Sequence, residues 1–275
     1  MLFVVATPIG NLKDLSMRAL ETLRTVDVIA AEDTRHTLKL LSAHGIEGKR
    51  LVSLHAHSTE RHVGKLVERL VAGESVAFVS DAGTPGVSDP GAELVRAAVA
   101  AGVRVVPVPG PSAALAALAA SGLESDAGFR FVGFVPRDGT ARARALAKIA
   151  ETPEPVILYE APDRAQKTLR DLCDLMPTRS VCVARELTKV HEELARGTLA
   201  DLAWERDEWR GEITIVLGEW EPAAREASID EAAIDERIDA ELAAGSHAKT
   251  TAERVAAWSG RPKREIYERV IRSKK

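Results

Sequence analysis

The chain has 275 residues, with 37 Lys or Arg against 41 Asp or Glu, a net charge of −4. With 45% apolar residues and so little net charge, disorder as the main state is excluded. The longest apolar run, 113–120, falls far short of the roughly 20 residues a membrane-spanning helix needs.

Short continuous apolar runs at Leu2–Ala6, Val26–Ala31, Leu51–Leu54, Val76–Val79 and Val103–Val108 predict strands buried on both faces. Helical patterns separate them, at Ser16–Thr25, Thr34–Ala43, Thr59–Val71 and Gly91–Ala100. Gly45, Gly73 and Gly102 stand where helix ends are expected. This alternation predicts a parallel α/β layer over residues 1–110.

The pattern changes after Pro107-Val-Pro-Gly-Pro111. An Ala-rich helix, Ser112–Ala120, precedes a strand at Phe129–Val135, a helix at Thr140–Ala150 and a strand at Val156–Tyr159. A helix at Asp163–Leu175 follows, with Asp163 and Gln166 at capping-box spacing. Strands at Val181–Ala184, near Thr198–Leu202 and at Ile213–Leu217 complete a second, mixed α/β domain, 111–221.

Residues 222–275 read as an acidic linker and a basic helical module. Segment 221–246 is net −6 and segment 247–275 net +6. A helix is expected at Ile229–Ala243. Another opens at a second capping-box spacing, Thr250-Thr251-Ala-Glu253, and places Val255, Ala256 and Trp258 on one side. Gly260 stops it and Pro262 begins the next, with Ile266, Tyr267, Val270 and Ile271 on one face and Lys263, Arg264, Arg269 and Arg272 outside it. Two short helices around a Gly turn fit a helix-turn-helix-like module, and its basic end fits a polyanion. The competing reading is a helical cap with a solvated charged face.

Four Gly/Pro-rich loops follow predicted strands directly: Thr7-Pro-Ile-Gly-Asn11, Ser80-Asp-Ala-Gly-Thr-Pro-Gly86, Pro107–Ala113 and Tyr159-Glu-Ala-Pro162. In open α/β sheets ligands bind outside the carboxyl ends of strands, so the four loops predict one pocket. No G-x-x-x-x-G-K-[ST], G-x-G-x-x-G or G-x-S-x-G is present at these positions. His36, His44, His55, His57 and His62 show no zinc-site spacing, so no metal is expected. Cys173 and Cys182 form no CxxC pair, and no basic region precedes the first apolar stretch. Reduced core thiols and a cytoplasmic location without a secretory signal are expected.

Pro8-Ile-Gly-Asn-Leu12, Ala31-Glu-Asp-Thr-Arg-His36, Ser80-Asp-Ala-Gly-Thr-Pro85, Pro109-Gly-Pro-Ser112 and Ala184-Arg-Glu-Leu-Thr-Lys189 occur in that order. As a set they resemble the ribosomal RNA small subunit methyltransferase I family of the tetrapyrrole methylase superfamily. The resemblance runs from Leu2 to about Gly218. It implies two α/β domains of the tetrapyrrole methylase (class III methyltransferase) type plus a small C-terminal helical module. It also implies a homodimer, S-adenosylmethionine as donor, and 2′-O-methylation of a cytidine ribose in the 16S rRNA decoding region, on free rRNA or the small ribosomal subunit.

On this resemblance Pro8 and Ile9 wall the cleft, and Gly83 and Thr84 meet the donor's methionine part. Asp81 holds its loop or contacts the donor amine. Val87 lies under the ligand, and Ser112-Ala113 offers helix-start N–H groups to a carboxylate. Tyr159, Leu187 and Ile213 stand where the family has adenine-pocket walls. A ribose hydroxyl is a poor acid, so a base or cation near it helps; Glu186, Lys189 and Glu160 are the candidates, Lys189 only with a depressed pKa. Arg35 and Arg185 are expected to grip phosphates, and Lys263, Arg264, Arg269 and Arg272 to contact RNA.

Two other readings stay open. Metabolite-modifying relatives show G-x-G-x-G-D after the first strand, where this chain has Pro8-Ile9-Gly10-Asn11, so a tetrapyrrole or corrinoid methyltransferase requires a departure from that motif. A DNA-binding regulator with a metabolite-sensing α/β body is compatible with the C-terminal helices.

Overall fold

Strands with apolar side chains on both faces build the first sheet. Strands β1 (Leu2–Val5), β2 (Val28–Ala31), β3 (Arg50–Ser53), β4 (Val76–Val79) and β5 (Val105–Val108) are all parallel, in the order β3-β2-β4-β1-β5. Successive side chains point to opposite faces. Leu2, Val28, Ala30, Val76 and Phe78 therefore join one core, and Val5, Ile29, Ala31, Ala77 and Val79 another. Helices α1 (Met17–Thr25), α2 (Thr34–Ala43), α3 (Glu60–Val71) and α4 (Ala92–Ala100) make the crossovers. A 3-10 turn at Leu12–Asp14, capped by Asn11, was not expected.

The computed structural model describes residues 1–54, 60–87, 91–221, 231–243, 246–259 and 263–273. Thr59, His55, His57, Ile229, Gly260 and Pro262 lie outside these residues, as does the side chain of Arg264.

Helix α5 (Ala113–Ser121) leads to the second sheet, β6 (Arg130–Phe134), β7 (Val156–Glu160), β8 (Ser180–Arg185), β9 (Glu193–Thr198) and β10 (Ile213–Leu217), ordered β6-β7-β10-β8-β9. Only β6 and β7 are parallel. Ala114 and Ala117 pack on Ile157, Cys182, Ala184 and Val216. The opposite face carries Val156, Leu158, Val181, Val183, Ile213 and Ile215 against α6 (Gly139–Ala150), α7 (Pro162–Cys173) and α8 (Leu199–Leu202). Cys173 and Cys182 are free thiols, and burial raises both pKa values.

Three local expectations are corrected. Helix α7 opens on Pro162 with Ala161 as its cap, so Asp163 and Gln166 form no capping box. Gln166 is instead buried; it donates to the Ala203 carbonyl and accepts from Trp209 Nε1 at 2.9 Å. The run at Thr198–Leu202 is not a strand: Thr198 ends β9 and, with Asp201, makes the capping box of α8. Helix α10 (Ala248–Ser259) begins before Thr250, and Thr251 is buried inside it.

The chain divides into two compact units, Met1–Trp220 and Glu221–Lys275. In the second, α9 (Glu231–Ala243), α10 and α11 (Lys263–Ser273) bury Ile234, Ile238, Ala252, Val255, Ile266 and Val270 together. Of the expected face of α11 only Ile266 and Val270 are buried; Tyr267 and Ile271 are exposed. Trp258 is likewise exposed, with the Arg237 guanidinium 5.8 Å from its ring centre.

Candidate functional site

The parallel strands of the first sheet end on one edge, so their loops meet there. Thr7 and Gly83 exchange two backbone hydrogen bonds, Thr7 N to Gly83 O at 2.9 Å and Gly83 N to Thr7 O at 3.0 Å. Gly83 holds φ +78°, a left-handed conformation that glycine adopts without cost. Thr84 Oγ1 donates to the Pro111 carbonyl at 3.0 Å, joining the loop after β5 to the other two. The sewn loops face the ends of β6, β7 and β8 and the start of β10 across a cavity of about 430 Å³.

Ile9, Asp81, Gly83, Thr84, Val87, Ser112, Ala113, Tyr159, Leu187 and Ile213 all line this cavity. Pro8 does not; the loop turns so that Ile9 forms the wall. The Thr84 hydroxyl is spent on Pro111, and Asp81 accepts from the Asp33 amide at 2.9 Å, which anchors the loop after β2. The Tyr159 hydroxyl accepts from the Ala114 amide at 3.2 Å, fixing the ring at the start of α5. Burial raises the phenol's pKa, against the bonds from Ala114 and Ser112, so Tyr159 stays neutral at ordinary pH.

The lining includes four carboxylates, Glu32, Asp81, Glu160 and Glu212, and no Lys, Arg or His among the described residues. Apolar walls come from Ile9, Val87, Leu187 and Ile213. Glu160 and Glu212 are ion-paired with Arg164 and Lys189, so the acid character of the lining rests on Glu32 and Asp81 beside the apolar walls, which suits a ligand with an apolar body and a positive group. S-adenosylmethionine, with its sulfonium and ammonium groups, fits that chemistry.

The segment after β8 is strained. Glu186 has φ +50° and Thr188 φ +68°, each costing on the order of 1–3 kcal/mol for residues other than glycine. Hydrogen bonds hold the pair in place. Glu186 N donates to Glu212 O at 3.0 Å, Thr188 N to Glu192 Oε2 at 2.6 Å, and Asn11 N to Thr188 Oγ1 at 3.0 Å. Between the two, Leu187 is presented to the cavity. Gly10 is required beside them: a Cβ there would lie 2.6 Å from Lys189 Cγ and 3.0 Å from the Leu187 carbonyl.

The base candidates are redistributed by this geometry. Lys189 Nζ donates to Glu186 Oε1 at 2.8 Å and to Glu212 Oε2 at 2.6 Å. Burial works against its charge, yet the two carboxylates outweigh it and lift its pKa above the ordinary lysine value. Lys189 is thus a held ammonium, which removes the condition on which it could be a base. The Lys189 hydrogen bond, with the Glu212 amide, keeps Glu186 below the usual carboxylate range. Neither Glu186 nor Lys189 lines the cavity; Glu212, which sequence reasoning missed, does. Glu160 is fully buried, accepting from Thr168 Oγ1 at 2.7 Å, the Ala161 amide at 2.9 Å and Arg164 at 3.2 Å. Its oxygens are occupied in holding the start of α7.

The expected phosphate grips are also committed elsewhere. Arg185 donates to Arg210 O at 2.7 Å and His191 O at 3.1 Å and pairs with Glu193. Arg35 is exposed but clamps Asp33 at 2.7 Å, which drives the Asp33 pKa down. In the second unit Lys263 pairs with Glu253 at 2.5 Å and Arg269 with Asp235 at 3.5 Å, whereas Arg272 is exposed. No group of His, Cys, Asp and Glu among the described residues could hold a metal ion, and no helix there is long and apolar enough to cross a membrane.

Comparison with known proteins matches residues 1–203 to the family described as Tetrapyrrole (Corrin/Porphyrin) Methylases. Proteins named ribosomal RNA small subunit methyltransferase I are similar over nearly their whole length. The Xylella fastidiosa protein is 47% identical, covering 97% of both chains. The Halalkalibacterium halodurans protein is 43% identical over 97% of this chain and 93% of its own, and the Bacillus subtilis protein 40% over 97% and 92%. Among solved structures, a Thermus thermophilus uroporphyrin III C-methyltransferase shares the fold at TM-score 0.58 and 22% identity, covering 79% of this chain and 97% of that one. A diphthine synthase does so at TM-score 0.61 and 20% identity, covering 79% and 89%.

Proposed function

Since the chain belongs to the ribosomal RNA small subunit methyltransferase I family of tetrapyrrole methylases and is an S-adenosylmethionine-dependent methyltransferase, we propose that it methylates the ribose 2′-oxygen of a cytidine in the 16S rRNA decoding region, in the cytoplasm. The acidic and apolar cavity carries the reading on the donor side, because it suits a sulfonium ligand. When bound there, the donor supplies an electrophilic methyl and a neutral thioether leaving group. Ile9, Leu187, Ile213 and Tyr159 would wall its apolar part, and Asp81 and Glu32 would balance its positive charge. The protein's remaining task is to bring the acceptor oxygen into line. Glu212 offers that hydroxyl's proton a carboxylate at the cavity wall; Glu186 and Lys189 position it.

The family's full-length similarity supports rRNA over a tetrapyrrole, and so does the Pro8–Asn11 loop. Gly10 there packs against the Leu187–Lys189 segment. Methyl transfer from labelled donor to small ribosomal subunits, naked rRNA, duplex DNA and a tetrapyrrole mixture tests the reading. Label confined to RNA is expected, at a position that resists alkaline cleavage, since a 2′-O-methyl removes the attacking hydroxyl. Label on the tetrapyrrole alone, or tight DNA binding without transfer, overturns it.

We propose a homodimer on the same grounds. Ile9, Ala114 and Leu187 pack in one cluster, and the exposed apolar Leu12, Leu115 and Val190 flank it in sequence. Light scattering at micromolar concentration is expected to give about twice 29.6 kDa. An active monomer rejects the proposal.

The C-terminal unit is proposed to add to RNA binding through its exposed cations. All cavity residues lie before Glu221. Truncation after Glu221 is expected to leave donor affinity within twofold and to weaken RNA binding. The salt slope should flatten by about 0.7–0.9 for each phosphate that the unit neutralises. Loss of donor binding on truncation would make the unit a cap instead.

A further inference from the structure

Arg185 is spent on Arg210, His191 and Glu193, and Arg35 is paired with Asp33, so the acceptor strand beside the cavity gains from a further cationic surface. We propose that the flanking single-stranded RNA runs along β6 and α6, with a base stacked on Phe134; this rests on the rRNA reading above. Among the described residues strand β6 is an edge of its sheet, paired only with β7. Its register shifts between Phe131 and Gly133, where Gly133 takes φ +66°. In a regular strand, residues three apart point to opposite faces. The bulge re-aims Phe134 to the face of Phe131, and both rings lie against Tyr159, at 5.6 and 4.9 Å between centres.

Phe134 is 57% exposed, with one side of its ring against Tyr159. It lines the donor cavity and also a second cavity of about 210 Å³, between β6 and α6. Phe134, on the edge strand, is a lining residue common to both spaces. Arg130 and Lys148 line the second cavity. The outer side of α6 adds Arg144, four residues before Lys148, and Arg137 lies in the preceding loop. Arg137, Arg144 and Lys148 are exposed and make no ion pair among the described residues. Segment 130–150 has five basic residues and one acidic, and of the five only Arg142 is buried, on Asp171. The donor cavity is lined by carboxylates and this strip by cations, so the two surfaces sort a cationic donor from a polyanionic acceptor.

An aromatic face beside a basic track is the chemistry that holds unpaired bases, and stacking is indifferent to sequence. A duplex would present neither free base faces nor a strand narrow enough for a cavity of this size. Target choice would then come from the register along the strip.

The test compares three variants with the full-length wild type. Arg144→Glu/Lys148→Glu is expected to raise KM for rRNA at least tenfold and to flatten its salt dependence. Donor affinity by calorimetry should stay within twofold, because neither residue lines the donor cavity. Phe134→Ala is expected to lower kcat/KM about ten- to hundredfold. Phe134→Trp serves as the reporter: its added indole emission should fall on titration with a single-stranded oligocytidylate 12-mer but not with a 12-base-pair RNA duplex. A charge-reversal variant with wild-type KM and salt slope overturns the proposal, as does an indole that the 12-mer leaves unquenched. If wild type transfers no methyl to rRNA, the function above fails, while the 12-mer titration still decides the surface on its own.

Discussion

Replacing Gly83 by valine is expected to reduce donor affinity at least a hundredfold while the protein stays folded. Both backbone groups of Gly83 are bonded to Thr7, so the residue cannot relax its φ of +78° without opening the bridge between two loops. A β-branched residue is a genuine outlier in that region. Space for a single added carbon is ordinary, 3.4 Å to Ile9 Cγ2 and 3.7 Å to the Pro111 carbonyl. The damage therefore comes from the backbone and from the further methyl groups, which must enter the cavity or push Ile9 into it. Calorimetric titration with S-adenosylhomocysteine, alongside circular dichroism, reads both parts. Gly45→Val is the control. Gly45 also has positive φ, +64°, but nothing lies within 4 Å of its added carbon and it does not line the cavity. It should lose stability on a similar scale and keep wild-type donor affinity. Equal donor affinity in both variants would move the donor elsewhere.

Arg179→Ala is expected to destabilise the protein by about 3–5 kcal/mol, the range for breaking a buried, charged hydrogen-bond set. Arg179 is 1% exposed, and its guanidinium donates to Gly218 O at 2.9 Å, Ile149 O at 3.1 Å and Glu154 O at 2.8 Å. Those carbonyls belong to the end of α6, the turn before β7 and the residue after β10, so one planar fork fastens three segments. Burial pulls its pKa down to about 10, and the group remains charged at neutral pH. Alanine leaves the Gly218 and Glu154 carbonyls without this donor, while Ile149 O keeps the Thr152 amide at 3.1 Å, and it opens a hole the size of the side chain. At about 2–4 °C per kcal/mol for a domain of this size, the thermal midpoint should fall by roughly 6–20 °C. Arg179→Lys should recover only part, since one ammonium cannot reproduce the fork. An alanine variant melting within 2 °C of wild type, roughly 1 kcal/mol or less, would contradict this role for the fork.

What could be read in advance follows from how each feature is written in the chain. Strands β1 to β5 were legible because a parallel sheet covered on both faces leaves unbroken apolar runs. Loops after them were legible as a pocket because parallel strands share one carboxyl edge. That same rule hid Gly211 and Glu212. They precede an antiparallel strand, whose start, not its end, lies beside Glu160. Phe134 was hidden because strand alternation says nothing of a bulge, and only Gly133 hinted at one. The pairings of Arg185, Lys189 and Glu160 were not legible for a single reason. A charged residue near a motif looks available in a sequence, while its partners, Arg210, Glu212 and Thr168, come from elsewhere in the chain. The capping-box spacings failed similarly, since Pro162 and Ala248 had stronger claims on the helix starts.

The position of β1 has a consequence for biosynthesis. Leu2 pairs with Val76 on one side and Val105 on the other, and β1 has no partner nearer in sequence. During translation at about 5–20 residues per second, the apolar first strand is made some seconds before β4 and β5 exist to receive it. The hydrogen bonds between Thr7 and Gly83 form in the same closure, and the far wall at Glu212–Thr214 is synthesised later still. The donor therefore cannot act as a scaffold for the nascent chain. Early protection of Leu2–Val5 falls to whatever meets the polypeptide at the tunnel exit, and the finished cleft assembles last.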